Sequence, residues 1–317
     1  MTILHEAEKL SAAGRTEEAV ALVQRAADRG DAEAMYAVGN WRLFGLFGRR
    51  DVDAAHRLFD ASAAKGYVEA IRTKAILIAN GTGVTADAAR AEALLQLIRH
   101  VDEYAALQLD FARDMPPADV ITPERIDSIS YDPVIRSCPA FLSRRECAYL
   151  MGMAQPHMRP SFVTHPSTGR QMPHPIRNST GMSFGPTQED LVVRRINERI
   201  AALIDTDVGC GEPLHILRYT PGQEYKPHTD GMPGEANQRI WTVLIYLNEG
   251  YDGGATSFSR QGIDFRGAAG DALIFYNVDA SGAPNMATLH AGLPVTQGEK
   301  WLATRWVRAG VYHPWDH

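Results

Sequence analysis

His228, Asp230 and His290 are residue types that hold transition metals, and Lys300 stands ten positions after the last of them. Two imidazoles and a carboxylate on one side of an ion suit non-haem Fe(II), because three of its six positions stay open for a co-substrate and dioxygen. The compact ammonium of Lys300, in a dry pocket, would pair strongly with the carboxylate of an acidic co-substrate.

Spacing alone does not decide the matter, since His100 and Asp102 repeat the His-x-Asp spacing. Residues two apart share a face in extended backbone, but on a helix they diverge by about 200°. The pattern around His100 is helical, and that pair reads as a solvated helix end. His228 and Asp230 lie instead in a loop bordered by Gly and Pro between two strands, and His290 lies in a strand-like segment, 287–295. A closed double sheet of short strands would bring the two stretches together.

Two regions with different periods must position these residues. Residues 1 to about 110 are rich in Ala and Leu at helical spacing, and the pattern repeats. Ala27, Gly30 and Ala34 recur as Ala63, Gly66 and Ala70, while Ala19 and Leu22 recur as Ala55 and Leu58 and again as Ala91 and Leu94. A period near 36 fits a pair of helices per unit stacked into a short solenoid. Gly30 and Gly66 fall where a helix end needs a left-handed residue. The prolines at 116, 117, 123 and 133 cannot continue helices, so residues 116–135 read as a linker between a helical region, 1–115, and a second domain, 136–317. In that domain FLSRRECAYLMGMA and QEDLVVRRINERIAALID are helical patterns. From Leu214 onward short β-branched or aromatic segments (LHILRY, WTVLIYLN, ATSFS, IDFR, ALIFY, ATLHAGLPV, KWLATRWVR) alternate with turn residues, which implies a sandwich or barrel. The expected class is α+β and multidomain: a helical repeat solenoid, then a jelly roll (double-stranded β-helix) with flanking helices.

Composition narrows the partners. At 317 residues the chain supports an ordinary core, and no apolar run approaches the roughly 20 residues of a membrane span. The net charge of -6 is spread evenly along the chain, which gives no basic face for nucleic acid. The N-terminus resembles neither a secretory signal nor a transit peptide, so a cytoplasmic location is expected. Cys138, Cys147 and Cys210 lack the spacing of a zinc or disulfide framework and read as reduced thiols.

Two resemblances follow from the motifs. GDAEAMYAVGNWRLFG and AAHRLFDASAAKGYVEA resemble Sel-type repeats, relatives of the tetratricopeptide family, over about two and a half units. Such repeats present a concave surface to peptides; the other reading is a helical cap that stabilises the second domain. RYTPGQEYKPHTDG, RIWTVLIYLNEGYDGGATSF, GDALIFYN and TLHAGLPVTQGEKWLATRWVR, in that order, resemble the prolyl 4-hydroxylase-like group of 2-oxoglutarate-dependent Fe(II) dioxygenases over about residues 136–310.

The second resemblance implies that His228, Asp230 and His290 bind Fe(II) and that Lys300 pairs with the distal carboxylate of 2-oxoglutarate. It also implies hydrogen bonds to that co-substrate from Tyr219 and Thr256, and a place for Trp306 in the pocket wall; core packing is the other reading for Tyr219 and Trp306. Arg177 and Tyr225 are candidate substrate contacts. Arg159 and Arg170 share the first of these roles with Arg177 or are simply solvated. The loop GMPGEANQR after Asp230 and the long segment 156–187 are candidate lids.

The implied reaction consumes 2-oxoglutarate and O2, releases succinate and CO2, and hydroxylates an unactivated C–H bond, with ascorbate as reductant. The expected substrate is a prolyl residue of a peptide or protein, recruited by residues 1–110. Alternatives are a free amino acid or other small molecule, a catalytically silent scaffold or sensor for a protein partner, and a cupin-like isomerase or hydrolase, which would have no need of Lys300.

Overall fold

A computed structural model of the chain describes residues 2–115, 126–164, 171–173 and 176–315. They divide into two compact units, residues 1–115 with 185–194, and residues 116–184 with 195–317. Pro116, Pro117, Pro123 and Arg170 lie outside the described residues.

The first unit holds α1 (Ile3–Ala12), α2 (Thr16–Asp28), α3 (Ala32–Phe44), α4 (Val52–Ala63), α5 (Val68–Asn80), α6 (Ala88–Ile98) and α7 (Glu103–Asp114). The starts of α2, α4 and α6, at 16, 52 and 88, carry the period seen in the sequence. Asp51 and Asp87 cap α4 and α6 identically, each accepting from the backbone N–H three residues on, and such caps contribute about 1 kcal/mol each. Gly30 and Gly66 follow α2 and α4 with φ of 85° and 80°, the left-handed geometry that glycine adopts without strain. Small residues let the helices approach: Ala19, Ala26, Ala27 and Ala34 pack with Val23 and Val38 in one cluster, and Ala75, Ala91 and Ala105 with Ile78, Leu95 and Leu109 in another.

Two features of this unit depart from the sequence reading. Leu191 joins the second cluster, and Asn80 Nδ2 donates to the carbonyls of Pro186 and Glu189 at 2.7 and 3.1 Å, so residues from far along the chain complete the last repeat. Asp102 is not a solvated helix end: it is buried, caps α7 by accepting from Ala105 N–H at 2.8 Å, and pairs with Arg72.

Among the described residues, the second unit holds α8 (Arg144–Ala154), α9 (Leu191–Leu203, whose first turn groups with the helical unit) and sixteen strands. These are β1 (Asp127–Tyr131), β2 (Val134–Cys138), β3 (Arg159–Pro160), β4 (Phe162–Thr164), β5 (Gln171–Pro173), β6 (Thr180–Ser183), β7 (His215–Tyr219) and β8 (Tyr225–His228). The remainder are β9 (Arg239–Tyr246), β10 (Asp252–Gly253), β11 (Thr256–Phe258), β12 (Ile263–Phe265), β13 (Ala272–Tyr276), β14 (His290–Gly292), β15 (Val295–Gln297) and β16 (Lys300–Arg308).

The larger sheet runs β1-β2-β13-β9-β16-β7-β6-β3 and the smaller β12-β11-β14-β8, with β10-β15 and β4-β5 as separate pairs. From β7 the chain alternates between the two main sheets. Strands β7, β9, β13 and β16 lie in the larger, and β8, β11, β12 and β14 in the smaller. This is the double-stranded β-helix expected from the sequence. Its core joins Leu217, Leu244, Tyr246, Phe258, Leu273, Phe275 and Leu302. Strands β9 and β16 are buried along most of their length, as strands covered on both faces must be.

Three sequence expectations are corrected here. Residues 127–135, read as the end of a linker, belong to the β1–β2 hairpin, which joins the larger sheet by pairing β2 with β13. The described residues of the stretch 156–187, read as one long loop, contain four short strands, of which β6 pairs with β7. Its Pro, Ser, Thr and Gly content hid them, because backbone hydrogen bonds rather than apolar side chains hold such edge pieces in register. Segment 287–295 is not one strand: a 3-10 turn, Met286–Thr288, precedes β14, and β15 pairs elsewhere.

Candidate active site

Strands β8 and β14 are neighbours, and their register sets His228 opposite His290, with ring centroids 4.3 Å apart. His228 ends a strand rather than lying in a loop, and the chain then turns so that Asp230 enters the same space. Asp230 Oδ1 is 3.6 Å from His228 Nε2, and Oδ2 is 3.7 Å from His290 Nε2. The three donor atoms lie within 4.8 Å of one another, the one such grouping of His, Cys, Asp or Glu among the described residues.

The protonation of these donors fits a metal. His228 Nδ1 lies 2.8 Å from the Lys226 carbonyl, and His290 Nδ1 lies 3.0 Å from that of Thr288. A carbonyl only accepts, so each Nδ1 carries a proton, and it is Nε2 of each ring that faces Asp230 and the metal position. Burial, assisted by His290, pushes the His228 imidazole down to about 4, so it is neutral near pH 7. Burial opposes ionisation of Asp230, yet the two imidazoles and the Thr242 hydroxyl outweigh it and hold the carboxyl below its ordinary range. The neutral His228 imidazole, the Asp230 carboxylate and the His290 imidazole are the donor types that suit Fe(II). Tyr225 stacks on His228 with centroids 3.5 Å apart, and the rings of Phe258 and Phe275 approach His290 at 5.4 and 4.7 Å.

A cavity opens beside these residues, lined also by Leu217, Tyr219, Tyr225, Leu244, Thr256, Lys300, Leu302, Thr304 and Trp306. Strand alternation explains the set, since every second residue of β7 and β16 faces inward. Lys300 is 2% exposed, and its Nζ donates to the Gly254 carbonyl at 2.7 Å while lying 5.8 and 5.1 Å from the Tyr219 and Tyr246 rings. Gly254 has φ of 65°, and a Cβ there would come within 3.2 Å of Lys300 Cδ, so glycine is needed for this approach. Burial, then the Arg266 charge, lowers the Lys300 ammonium to about 7. An opposite charge beside a cation buried in this way would favour its charged form. Thr256 and Tyr246 share a hydrogen bond of 2.7 Å.

The structure therefore brings His228, Asp230, His290, Lys300, Tyr219, Thr256, Trp306 and Tyr225 around one cavity. Arg177 forms an isolated bridge to Tyr225 and stacks its guanidinium 5.3 Å from that ring; Arg159 is exposed on β3. The candidate lid after Asp230 is tied to itself, Met232 N–H donating to Gln238 Oε1 and Gln238 Nε2 donating to the Met232 carbonyl, at 2.7 and 2.6 Å.

The sequence reading missed a second layer. Glu212 accepts from Arg239 through both carboxylate oxygens, at 2.6 and 2.7 Å, and from Arg308 Nε at 2.6 Å. The Arg239 guanidinium lies 4.2 Å over the Trp306 ring, against which His215 also stacks. Alternation along β7 and β16, which puts His215 and Arg308 on the same face as Leu217 and Trp306, was the available signal.

Residues 214–308 match the family model of the 2OG-Fe(II) oxygenase superfamily. The chain is also 32% identical to the probable prolyl 4-hydroxylase 3 of Arabidopsis thaliana over 208 residues, spanning 58% of this chain and 72% of that protein. The chain belongs to the prolyl 4-hydroxylase-like 2OG-Fe(II) oxygenases. It is accordingly a 2-oxoglutarate-dependent dioxygenase, and the cofactors of its family are Fe(II), 2-oxoglutarate and O2. Among solved structures, it is similar to the viral collagen prolyl hydroxylase of Paramecium Bursaria Chlorella virus-1 in its 2OG complex, at 28% identity and TM-score 0.45, covering 56% of this chain and 96% of that one. A Sel1 repeat protein from Oxalobacter formigenes is similar at 19% identity and TM-score 0.32, covering 34% of this oxygenase and 85% of that chain. No helix among the described residues is long and apolar enough to cross a membrane.

Proposed function

We propose that this oxygenase hydroxylates a prolyl residue of a peptide or protein. In the balanced reaction one oxygen atom of O2 enters the C–H bond of the substrate, and the other enters 2-oxoglutarate as it loses CO2 to become succinate. His228, Asp230 and His290 would hold Fe(II), and the ion would supply the oxidising chemistry when bound. Lys300 would take the distal carboxylate of 2-oxoglutarate, with Thr256 and Tyr219 beside it. Trp306, Tyr225 and Arg177 would receive the substrate, and Leu217, Leu244 and Leu302 would keep bulk water from the reacting atoms.

The carrying observation is the polarity of the cavity wall. Trp306 Nε1 in that wall, and Arg177 Nε behind the wall residue Tyr225, are buried donors without a hydrogen-bond partner among the described residues, and each such group costs about 1–3 kcal/mol. Peptide carbonyls would satisfy them. A free amino acid would also need a partner for its ammonium, yet Asp230 is the only carboxylate among the described residues lining the cavity. The names of the relatives point the same way. Recruitment of the peptide by residues 1–110, reduction of stray Fe(III) by ascorbate, and a reducing cytoplasmic setting consistent with three free cysteines complete the reading.

The test is incubation with Fe(II), 2-oxoglutarate and ascorbate, offering proline-containing peptides and free L-proline side by side, with mass spectrometry for one added oxygen and an assay for succinate. Oxygen should enter the peptides. Efficient hydroxylation of free proline with every peptide unmodified would overturn the proposal.

A further inference from the structure

Asp230 is held from behind by two side chains. Thr242 on β9 is fully buried, and its Oγ1 lies 2.7 Å from Asp230 Oδ2. Asn277, just beyond β13, is fully buried too, and its Nδ2 lies 2.8 Å from Thr242 Oγ1. The direction of both bonds is fixed by chemistry. An ionised carboxylate only accepts, so the single hydroxyl proton of Thr242 goes to Asp230, and Thr242 must then accept from the amide of Asn277.

The surroundings hold this relay in place. Asn277 N–H donates to the Ile240 carbonyl and its own carbonyl accepts from Asn285 N–H, both at 2.8 Å. Asn277 Oδ1, by contrast, is buried with no hydrogen-bond partner among the described residues. Turning the amide over would break the relay, so the orphaned oxygen is the cost of aiming the NH2 group at Thr242. The turn after Asp230 is equally tight: a Cβ on Gly231 would meet Pro284 Cβ at 2.9 Å and the Asn277 carbonyl at 3.3 Å.

We infer that Thr242 and Asn277 are positioning residues that lock the rotation of the Asp230 carboxylate and thereby set the affinity of the triad for its metal. An amide rather than a carboxylate is required at 277, because only a donor can serve a hydroxyl that is already donating. The inference rests on reading His228, Asp230 and His290 as the metal site. Groups that orient a ligand in this way typically govern about 10–100-fold in metal affinity.

The experiment is titration of the metal-free full-length protein with Co(II), followed by visible absorption, with the metal-free melting temperature as a separate readout. Thr242→Val, nearly isosteric, and Asn277→Asp should each weaken Co(II) binding by about 10–100-fold, and Thr242→Ser should restore it. Wild-type affinity in a folded Thr242→Val protein, or a Thr242→Ser protein no better than Thr242→Val, overturns the relay. If Thr242→Val does not fold, Asn277→Asp decides: wild-type affinity there overturns the relay as well. Failure of the underlying reading looks different, because wild type itself would then show no Co(II) binding that His290→Ala abolishes.

Discussion

His228 and His290 face each other as a register pair across β8 and β14, so strand pairing sets the distance between their Nε2 atoms. Asp230 completes the group two residues beyond the end of β8. Removing one member should therefore abolish metal binding without dissolving the sheet.

The first prediction concerns His290→Ala. Its ring is buried between Phe258 and Phe275, so truncation should cost a few kcal/mol of stability, about 2–4, from the cavity created. The larger effect is on function: Co(II) binding and succinate release should both fall below detection. Retention of metal-dependent turnover in this variant contradicts the site assignment.

Lys300→Ala should raise the Kd for 2-oxoglutarate at least about 30-fold, since removing one partner of a buried charge pair costs about 2–5 kcal/mol. Equilibrium binding with Co(II) in place of iron measures it directly.

Binding of 2-oxoglutarate should also depend on pH, with a definite sign. In the free protein the Lys300 ammonium is lowered to about 7 by burial and by Arg266, whereas a bound carboxylate favours the charged form and raises it. Binding above about pH 7 must then take up a proton, and affinity should fall as pH rises from there. Calorimetry in buffers of different protonation enthalpy reads the proton count; no uptake near pH 8 contradicts the pairing.

Glu212→Ala should destabilise the second unit by about 3–5 kcal/mol, because it leaves Arg239 and the buried Arg308 guanidinium without their shared carboxylate. Chemical denaturation measures this. The substrate KM should rise too, as Arg239 would lose the hold that keeps it over Trp306.

In the helical unit, Asp102→Ala should cost about 1 kcal/mol or more, from the lost α7 cap and the stranded Arg72. His100→Ala should change stability by less than about 0.5 kcal/mol. Neither should alter Co(II) affinity, which separates this His-x-Asp pair from the one that faces a metal.

Local patterns in the sequence carried far in this protein. The recurring Ala and Gly positions announced a repeat whose helix starts obey it. The apolar segments KWLATRWVR and ALIFY coincide with β16 and β13, because strands buried on both faces must be written in β-branched, aromatic and aliphatic residues. The short polar strands β3 to β6 left no such mark. Asp102 looked solvated because a burying partner, Arg72, lies in another helix.

The sequence by itself determined the donor types His228, Asp230 and His290, the cation Lys300, and the strand periodicity that could present them, since side-chain chemistry and alternation are properties of the local chain. The tertiary structure alone decided the opposition of His228 to His290, the burial that lowers Lys300 to about 7, the clamp of Glu212 on two arginines, and the Asn277–Thr242–Asp230 relay. Each of these depends on residues from segments far apart in the chain, and only the pairing of distant strands brings such segments within hydrogen-bonding distance of one another.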